Sequence, residues 1–389
     1  MDEAGWIDDL LGPDGRELMA ELGAEPLSAK DEIRAITRLR GRYPPELVRA
    51  AVSQAKLRVR ARAKFSHADR MYFTAAGLEQ ASTERMARNH AARFREYDRV
   101  ADLCTGIGGD LIGLAEGRSV RAVDLDPVHL RLAEINAGVN GVGAGVEYVR
   151  GDVREVSLEG IPAAFVDPAR RADGRRFKTG SSEPSLEWCF DLAARGVALG
   201  VKAAPGLPLE LVPPGWEVEF VSEGGELKEA VLWSPALASA PRRATLLPGG
   251  HALVPEAGPD VPVALPGRYL VDPDPAVTRA GVVEELARSL GCWKIDDQIA
   301  FLSSDHQART PFGRTLAVEA SLPWNLKHLR QALRDADIGT VDIRKRGSAV
   351  DVDEVQRKLK LTGSRAATVV LTRVSDRPWM LVCTDPPAR

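Results

Sequence analysis

Cysteine, histidine and long apolar runs are what this chain has least of. Its four cysteines, Cys104, Cys189, Cys292 and Cys383, stand far apart over 389 residues with no C-x-x-C pair. Such spacing offers neither a disulfide framework nor a zinc site, and a reducing cytoplasm is the simplest setting. Six histidines are scattered without metal-ligand spacing, so no metal is expected. No apolar run reaches the roughly 20 residues that cross a bilayer, and no membrane partner is expected. The opening MDEAGWIDDL is acidic, unlike a secretory signal. Repeats and low-complexity tracts are missing too. With 44% hydrophobic and 28% charged residues, the chain reads as globular and long enough for two or three domains.

Charge is unevenly placed within a net of −3. Residues 1–29 carry eight acidic groups and one basic group, whereas residues 30–100 carry 17 basic and eight acidic groups. A basic block of that kind fits nucleic-acid contact, and it equally fits a solvated helical face that pairs with the acidic head.

The densest chemical signal runs from Arg99 to Asp126, RVADLCTGIGGDLIGLAEGRSVRAVDLD. It reads as strand, glycine-rich turn, helix and second strand, with Asp124 at the end of that strand. Glycines let a ligand approach the backbone, and a strand-end carboxylate can grip two ribose hydroxyls, so an adenosine cofactor is expected. A P-loop requires Gly-Lys-Ser/Thr, but Asp110-Leu111 follows Gly109. A dinucleotide turn requires a third glycine where Leu111 stands. S-adenosylmethionine (SAM) needs no pyrophosphate cradle, and its amino group suits an acidic turn with Asp102, Gly106 and Asp110. SAM is therefore the expected cofactor.

Four segments carry a family resemblance: VADLCTGIGGDLIGLA, AVDLDPVHLRLAEINAGVNGV, VEYVRGDV and AAFVDPAR. They resemble motifs I to IV of class I methyltransferases, and most of all the trimethylguanosine synthase branch of RNA guanine-N2 enzymes. Upstream, FTAAGLEQASTERMARNHA resembles the segment that helps enclose the cofactor in that branch. The whole chain resembles a bacterial family of THUMP-like methyltransferases. That resemblance implies Asp102, Gly106, Gly108 and Asp110 around the methionine part, Asp124 on the ribose and Asp152 at the adenine amino group. Thr83, Cys104, Thr105, Leu125 and Val153 complete the expected cofactor set.

The expected fold is α/β, a Rossmann-like class I methyltransferase with a seven-stranded sheet in the order 3-2-1-4-5-7-6. Residues 1–95 read as a helical region and 96–235 as the methyltransferase core. Residues 236–311 read as a connecting β/α region and 312–389 as an α+β THUMP-like domain. Within the connection, one helix is expected from Asp274-Pro275 to Leu290, closed by Gly291.

The sulfonium methyl of SAM is already activated, so the enzyme mainly aligns donor and acceptor and handles a proton. In amino methyltransferases the fourth motif reads Asn/Asp/Ser-Pro-Pro-aromatic, and here it reads Asp167-Pro168-Ala169-Arg170. Asp167 and the Pro168 carbonyl can accept from an exocyclic N–H. Arg170 takes the aromatic place and suits a phosphate or a guanidinium stack. Asp167, Pro168 and Arg170 are the expected catalytic residues. Cys104 and Cys189 read as small apolar packing rather than nucleophiles, and Lys202, after the fifth strand, reads as a surface lysine by default, with contact to substrate as the alternative. Arg344-Lys345-Arg346 is a weaker candidate for RNA backbone. The expected activity is methylation of a nucleobase amine in RNA. A small-molecule or protein substrate, and a noncatalytic RNA-binding protein, stay open beside it.

Overall fold

The computed structural model describes residues 5–23, 29–169, 171–172, 175–176 and 182–387. Contacts divide the chain into two compact units, Met1–Trp216 with Ala230–Ser239, and Glu217–Glu229 with Ala240–Arg389.

The first unit begins with helices α1 (Gly5–Leu11), α2 (Pro13–Leu22), α3 (Ala29–Leu39) and α4 (Pro45–Ala61). Proline at the first position of α4 lacks only an N–H that a helix start leaves unpaired. Short helices α5 (Ala75–Gln80) and α6 (Glu84–Ala92) follow, capped by the hydroxyls of Thr74 and Thr83. Between α4 and α5 the segment Met71–Phe73 is buried. Gln54 holds it by accepting from the Phe73 N–H at 3.0 Å and donating to the Phe73 carbonyl at 2.6 Å. Asn136 does the same for Tyr72, at 2.9 and 3.0 Å. The side chains of Met71, Tyr72 and Phe73 are part of the packing of the first unit. Part of the basic block pairs with the acidic head: Arg42 meets Glu17 and Glu21 at 3.2 and 3.0 Å, and Arg38 meets Glu21 at 3.2 Å.

The α/β part runs β1 (Arg99–Leu103), α7 (Gly109–Leu114), β2 (Ser119–Asp124), α8 (Pro127–Val139), β3 (Val146–Arg150) and β4 (Ala163–Val166). After a two-stranded ribbon of β5 (Arg171–Ala172) and β6 (Arg175–Arg176) come α9 (Leu186–Ala194) and β7 (Ala198–Ala203). Strands β8 (Glu217–Glu223) and β9 (Glu226–Trp233) are neighbours in the sheet, joined across Gly224-Gly225, whose φ of +63° and +81° suit a tight two-residue turn. Strands β10 (Arg242–Leu247) and β11 (His251–Leu253) pair antiparallel.

The sheet order is β3-β2-β1-β4-β7-β9-β8-β10-β11. Leaving out the ribbon, the first seven strands follow the order 3-2-1-4-5-7-6, and the sheet is nine strands wide instead of seven. The extra width arises because β10 adds parallel to β8 and carries β11 with it. Strands β1, β2, β3, β4 and β7 are parallel, so their carboxyl ends share one edge.

The second unit contains β12 (Tyr269–Pro273), α10 (Pro275–Ala280), α11 (Val283–Leu290), β13 (Trp293–Lys294), β14 (Leu302–Ser304), β15 (Gly313–Pro323), α12 (Leu326–Asp335), β16 (Ile338–Lys345), α13 (Val352–Lys358), β17 (Arg365–Val374) and β18 (Arg377–Thr384). Seven of these strands form a sheet of their own in the order β13-β14-β12-β15-β18-β17-β16. Period-two alternation gives β17 two buried faces: Val369 and Leu371 lie with Leu329, Leu333 and Val355, while Val370 lies with Ile295 and Phe301. The single helix expected over 275–290 is two helices. Gly281 breaks it at φ +68°, closing α10 with a left-handed cap.

Candidate active site

Asp102, Asp124, Asp152 and Asp167 lie at or just past the carboxyl ends of β1, β2, β3 and β4, within the first unit. The turn after β1 is a run of left-handed residues, Cys104 (φ +64°), Gly106 (+56°) and Gly108 (+87°). Only Gly108 is also crowded, since a Cβ there would stand 3.2 Å from the Ala133 backbone of α8. Thr105 Oγ1 donates to the Asp102 carbonyl at 2.9 Å, and Asn136 donates to the Ile107 carbonyl at 3.0 Å. Asp124 accepts from the Gly106 N–H at 2.7 Å and the Asp126 N–H at 2.9 Å. Its carboxylate thus joins the two halves of the βαβ unit across their carboxyl ends.

Asp102 is 1% exposed, and its Oδ2 has no hydrogen-bond partner among the described residues. Burial first, then the Asp110 charge, pushes its carboxyl well above the usual range. A buried acceptor that lacks a donor suits an incoming ammonium group, and the open turn at Gly106 has nothing within 4 Å of where a Cβ would stand. These residues fit SAM.

A chain of buried polar contacts lies beneath the turn. His90 Nδ1 donates to Asp110 Oδ1 at 2.7 Å, and the Ser82 hydroxyl donates to Asp110 Oδ2 at 2.8 Å. Lys202 Nζ donates to Ser82 Oγ at 2.9 Å and to Asp167 Oδ2 at 2.7 Å, and lies 3.9 Å from Asp110 Oδ2. Burial alone would raise the Asp110 carboxyl, but the Lys202 and His90 charges and the two hydrogen bonds bring it down to about 2. The His90 ring also stacks on Phe165 of β4, 4.7 Å between centroids. Asp167 directly follows β4, and its N–H donates to the Leu103 carbonyl at 3.1 Å. Pro168 then leads to a bridge in which Ala169 and Glu183 exchange N–H···O bonds of 2.8 and 2.9 Å.

Lys202 is the main correction to the sequence reading. It is not a surface lysine: it lies in β7, where all six residues are buried. The signal was present in ALGVKA, a lysine within an apolar run of a buried parallel strand, where an unpaired charge is not tolerated. His90 was missed as well. Its signal is its place with Met86, Ala87 and Ala91 on the buried face of α6.

Asp152, after β3, is held by Arg154 through the backbone N–H and the Nε, both at 2.9 Å, and that pairing keeps its carboxyl below the usual range. Arg154 also meets Glu183 at 2.7 Å. Val153 beside it is buried, whereas Leu125 is 66% exposed next to Asp124. Thr83 caps α6 by accepting from the Met86 N–H at 3.3 Å. The Cys104 thiol is pushed well above its ordinary value by burial and by Asp124, Asp167 and Asp102, so it is no nucleophile. Arg170 lies outside the described residues, as does the Arg171 side chain. In the second unit, Arg344 and Arg346 pair with Asp272 at 3.4 and 3.2 Å, and Arg346 stacks over Phe301. Among the described residues no cluster of three metal-ligating side chains occurs, and no helix is long and apolar enough to cross a membrane.

A mononucleotide-type turn, strand-end acids and this strand order define a SAM-dependent methyltransferase fold, and comparison with known proteins agrees. Residues 97–182 match the family model described as RNA cap guanine-N2 methyltransferase, residues 313–385 match THUMP domain-like, and residues 6–61 match a domain family of unknown function. Uncharacterised SAM-dependent methyltransferases of two Mycobacterium tuberculosis strains are each 39% identical over 311 residues, covering 78% of this chain and 84% of theirs. A crystal structure from Porphyromonas gingivalis, provisionally classed as a methyltransferase, superposes with a TM-score of 0.74 at 22% identity, covering 93% of this chain and 100% of that one. The chain belongs to the SAM-dependent methyltransferase family: it is a class I methyltransferase with a C-terminal THUMP-like domain, and SAM is its cofactor.

Proposed function

We propose that this enzyme methylates an exocyclic amine of a nucleobase in RNA. The observation that carries the reading is Asp167-Pro168 at the carboxyl end of β4, one strand away from the cofactor turn and tied to it by the Asp167 N–H to Leu103 carbonyl bond of 3.1 Å. The match of residues 97–182 to an RNA guanine-N2 methyltransferase model and the THUMP-like match of residues 313–385 support an RNA substrate.

In this reading Asp102 takes the cofactor's amino group, Asp124 its ribose hydroxyls, and Leu125, Val153 and Asp152 its adenine. Bound SAM supplies an electrophilic methyl group. Asp167 and the Pro168 carbonyl accept the two N–H bonds of the target amine and leave its lone pair directed at the cofactor. The aminium formed on transfer loses its proton readily, so Asp167 needs to orient more than to act as a strong base. Arg170 in place of an aromatic residue argues against a methylated cap held by ring stacking. The test is transfer of labelled methyl from SAM to total RNA of a strain lacking the gene, followed by mass spectrometry of its nucleosides. A new methylated amino-nucleoside supports the reading; label only in protein or in small molecules refutes it.

A further inference from the structure

We propose that Lys202 is a positioning residue of this site: its ammonium group fixes Asp167 and fastens it to the cofactor turn through Ser82 and Asp110. The inference rests on the reading of Asp167 as the acceptor of the target amine. Lys202 follows Val201, which pairs with Val166 in the β4–β7 register, so backbone pairing alone brings Lys202 beside Asp167. Its side chain is 4% exposed, with Nζ 2.7 Å from Asp167 Oδ2 and 2.9 Å from Ser82 Oγ. With one oxygen of Asp167 so engaged, the carboxylate is held at the carboxyl end of β4.

Charge gives a second reason. Among the described residues, Asp167 acts on Asp102 of β1 and on the Cys104 thiol, and Lys202 of β7 joins it to Asp110 of α7, which His90 of α6 also meets. Lys202 is thus shared by two carboxylates, Asp167 at 2.7 Å and Asp110 at 3.9 Å. Without the lysine, Asp167 loses an ion-pair partner at 2.7 Å, so its carboxyl takes up a proton more readily and is held less firmly in the orientation that meets an amine. Burying an ammonium for stability alone gains little over a well-packed apolar residue, which points to a positioning role.

The experiment compares wild type, Lys202→Met and Lys202→Arg as full-length chains, with Lys202→Gln in place of Met should Met fail to fold. Calorimetry gives SAM affinity, methylation of total RNA gives kcat and KM across pH, and carbon NMR titrates the Asp167 carboxyl, assigned with Asp167→Asn. For Lys202→Met the expected result is a kcat loss of about a hundredfold, in the range of a mispositioned proton acceptor. KM for RNA and SAM affinity stay within about threefold. The Asp167 titration and the acidic limb of the kcat profile move upward together, and Lys202→Arg restores part of both. Unchanged kcat, a loss confined to SAM affinity, or an unshifted Asp167 titration overturns the inference. If wild type transfers no methyl to RNA, the substrate reading falls, and the titration still decides the role of Lys202.

Discussion

Replacing Asp124 by alanine is the most direct test of the proposed cofactor site, and its size follows from the contacts. The carboxylate already accepts the Gly106 and Asp126 N–H groups at 2.7 and 2.9 Å, one on each oxygen. Each oxygen retains a lone pair for a ribose hydroxyl. Hydrogen bonds to a charged group contribute about 1.5–3 kcal/mol net. Because Asp124 is only half-buried, water partly replaces what is lost, and the low end applies to each bond. Loosening of the turn at Gly106 adds to the loss. The expected total is about 3–4 kcal/mol, or roughly 150- to 1,000-fold in Kd. Titration calorimetry with S-adenosylhomocysteine, which cannot react, measures it. Asp124→Asn keeps one acceptor oxygen and should lose less. A folded Asp124→Ala protein with affinity within about twofold of wild type refutes the ribose role, as does tighter binding of NAD than of the methyl donor.

Other outcomes are open to simpler assays. Gly113→Ala should lower thermal stability by about 1–3 kcal/mol, because the new Cβ would stand 2.6 Å from the Ala87 carbonyl oxygen, backbone that cannot yield cheaply; an unchanged melting curve contradicts the close α6–α7 approach. Asp167→Ala should keep SAM affinity and lose roughly two to four decades of turnover, whereas Asp152→Ala should weaken the cofactor first; wild-type turnover in a folded Asp167→Ala protein removes the amine mechanism. RNA affinity should fall steeply with salt as cationic side chains release counterions, and filter binding that stays flat across a salt series, or is absent at low salt, favours a protein or small-molecule substrate.

What could be read from the sequence was local or motif-bound. Gly106, Gly108 and Asp124 sit within one βαβ unit, where turn, helix and strand end are fixed by short-range spacing. The network of His90, Ser82, Asp110, Lys202 and Asp167 comes from five places along the chain, and no local pattern joins them. A lysine gives the same letter whether it snorkels to water or is neutralised in a core, so Lys202 was assigned by its commonest state. The charge blocks left two readings open, nucleic-acid contact and pairing with the acidic head, and the structure shows the second for part of the basic block. Glu17 and Glu21 meet Arg38 and Arg42 across a helix pair, which ties up part of a segment that reads as a nucleic-acid surface. The break between α10 and α11 needed only Gly281 to be weighted above the continuing apolar period.

Asp102 and Asp110 stand eight residues apart and shift in opposite directions, and that contrast gives the last prediction. Asp110 is held down to about 2 despite its burial, because Lys202 and His90 neutralise it. Its contribution to stability is present above the ordinary aspartate range and is lost as pH falls toward about 2. Asp102 has no cation of its own: burial, and the very charge that Lys202 and His90 stabilise on Asp110, raise its carboxyl. A raised carboxyl works the other way, withdrawing stability as pH climbs above the ordinary aspartate value of about 3.9. An ammonium group delivered by the cofactor reverses this, since it favours the ionised form that the empty protein resists. Binding should therefore release a proton from Asp102, and SAM affinity should rise with pH until the free protein's own Asp102 has ionised. Calorimetry in two buffers of different ionisation enthalpy reads the proton count directly. Asp102→Asn should bind more weakly and lose the pH dependence. Asp110→Asn, by contrast, should keep the direction of the pH dependence and move it to lower pH, because one like charge is gone from beside Asp102. Affinity that is flat from about pH 5 to about pH 8, with no proton released, shows that Asp102 does not meet the amino group.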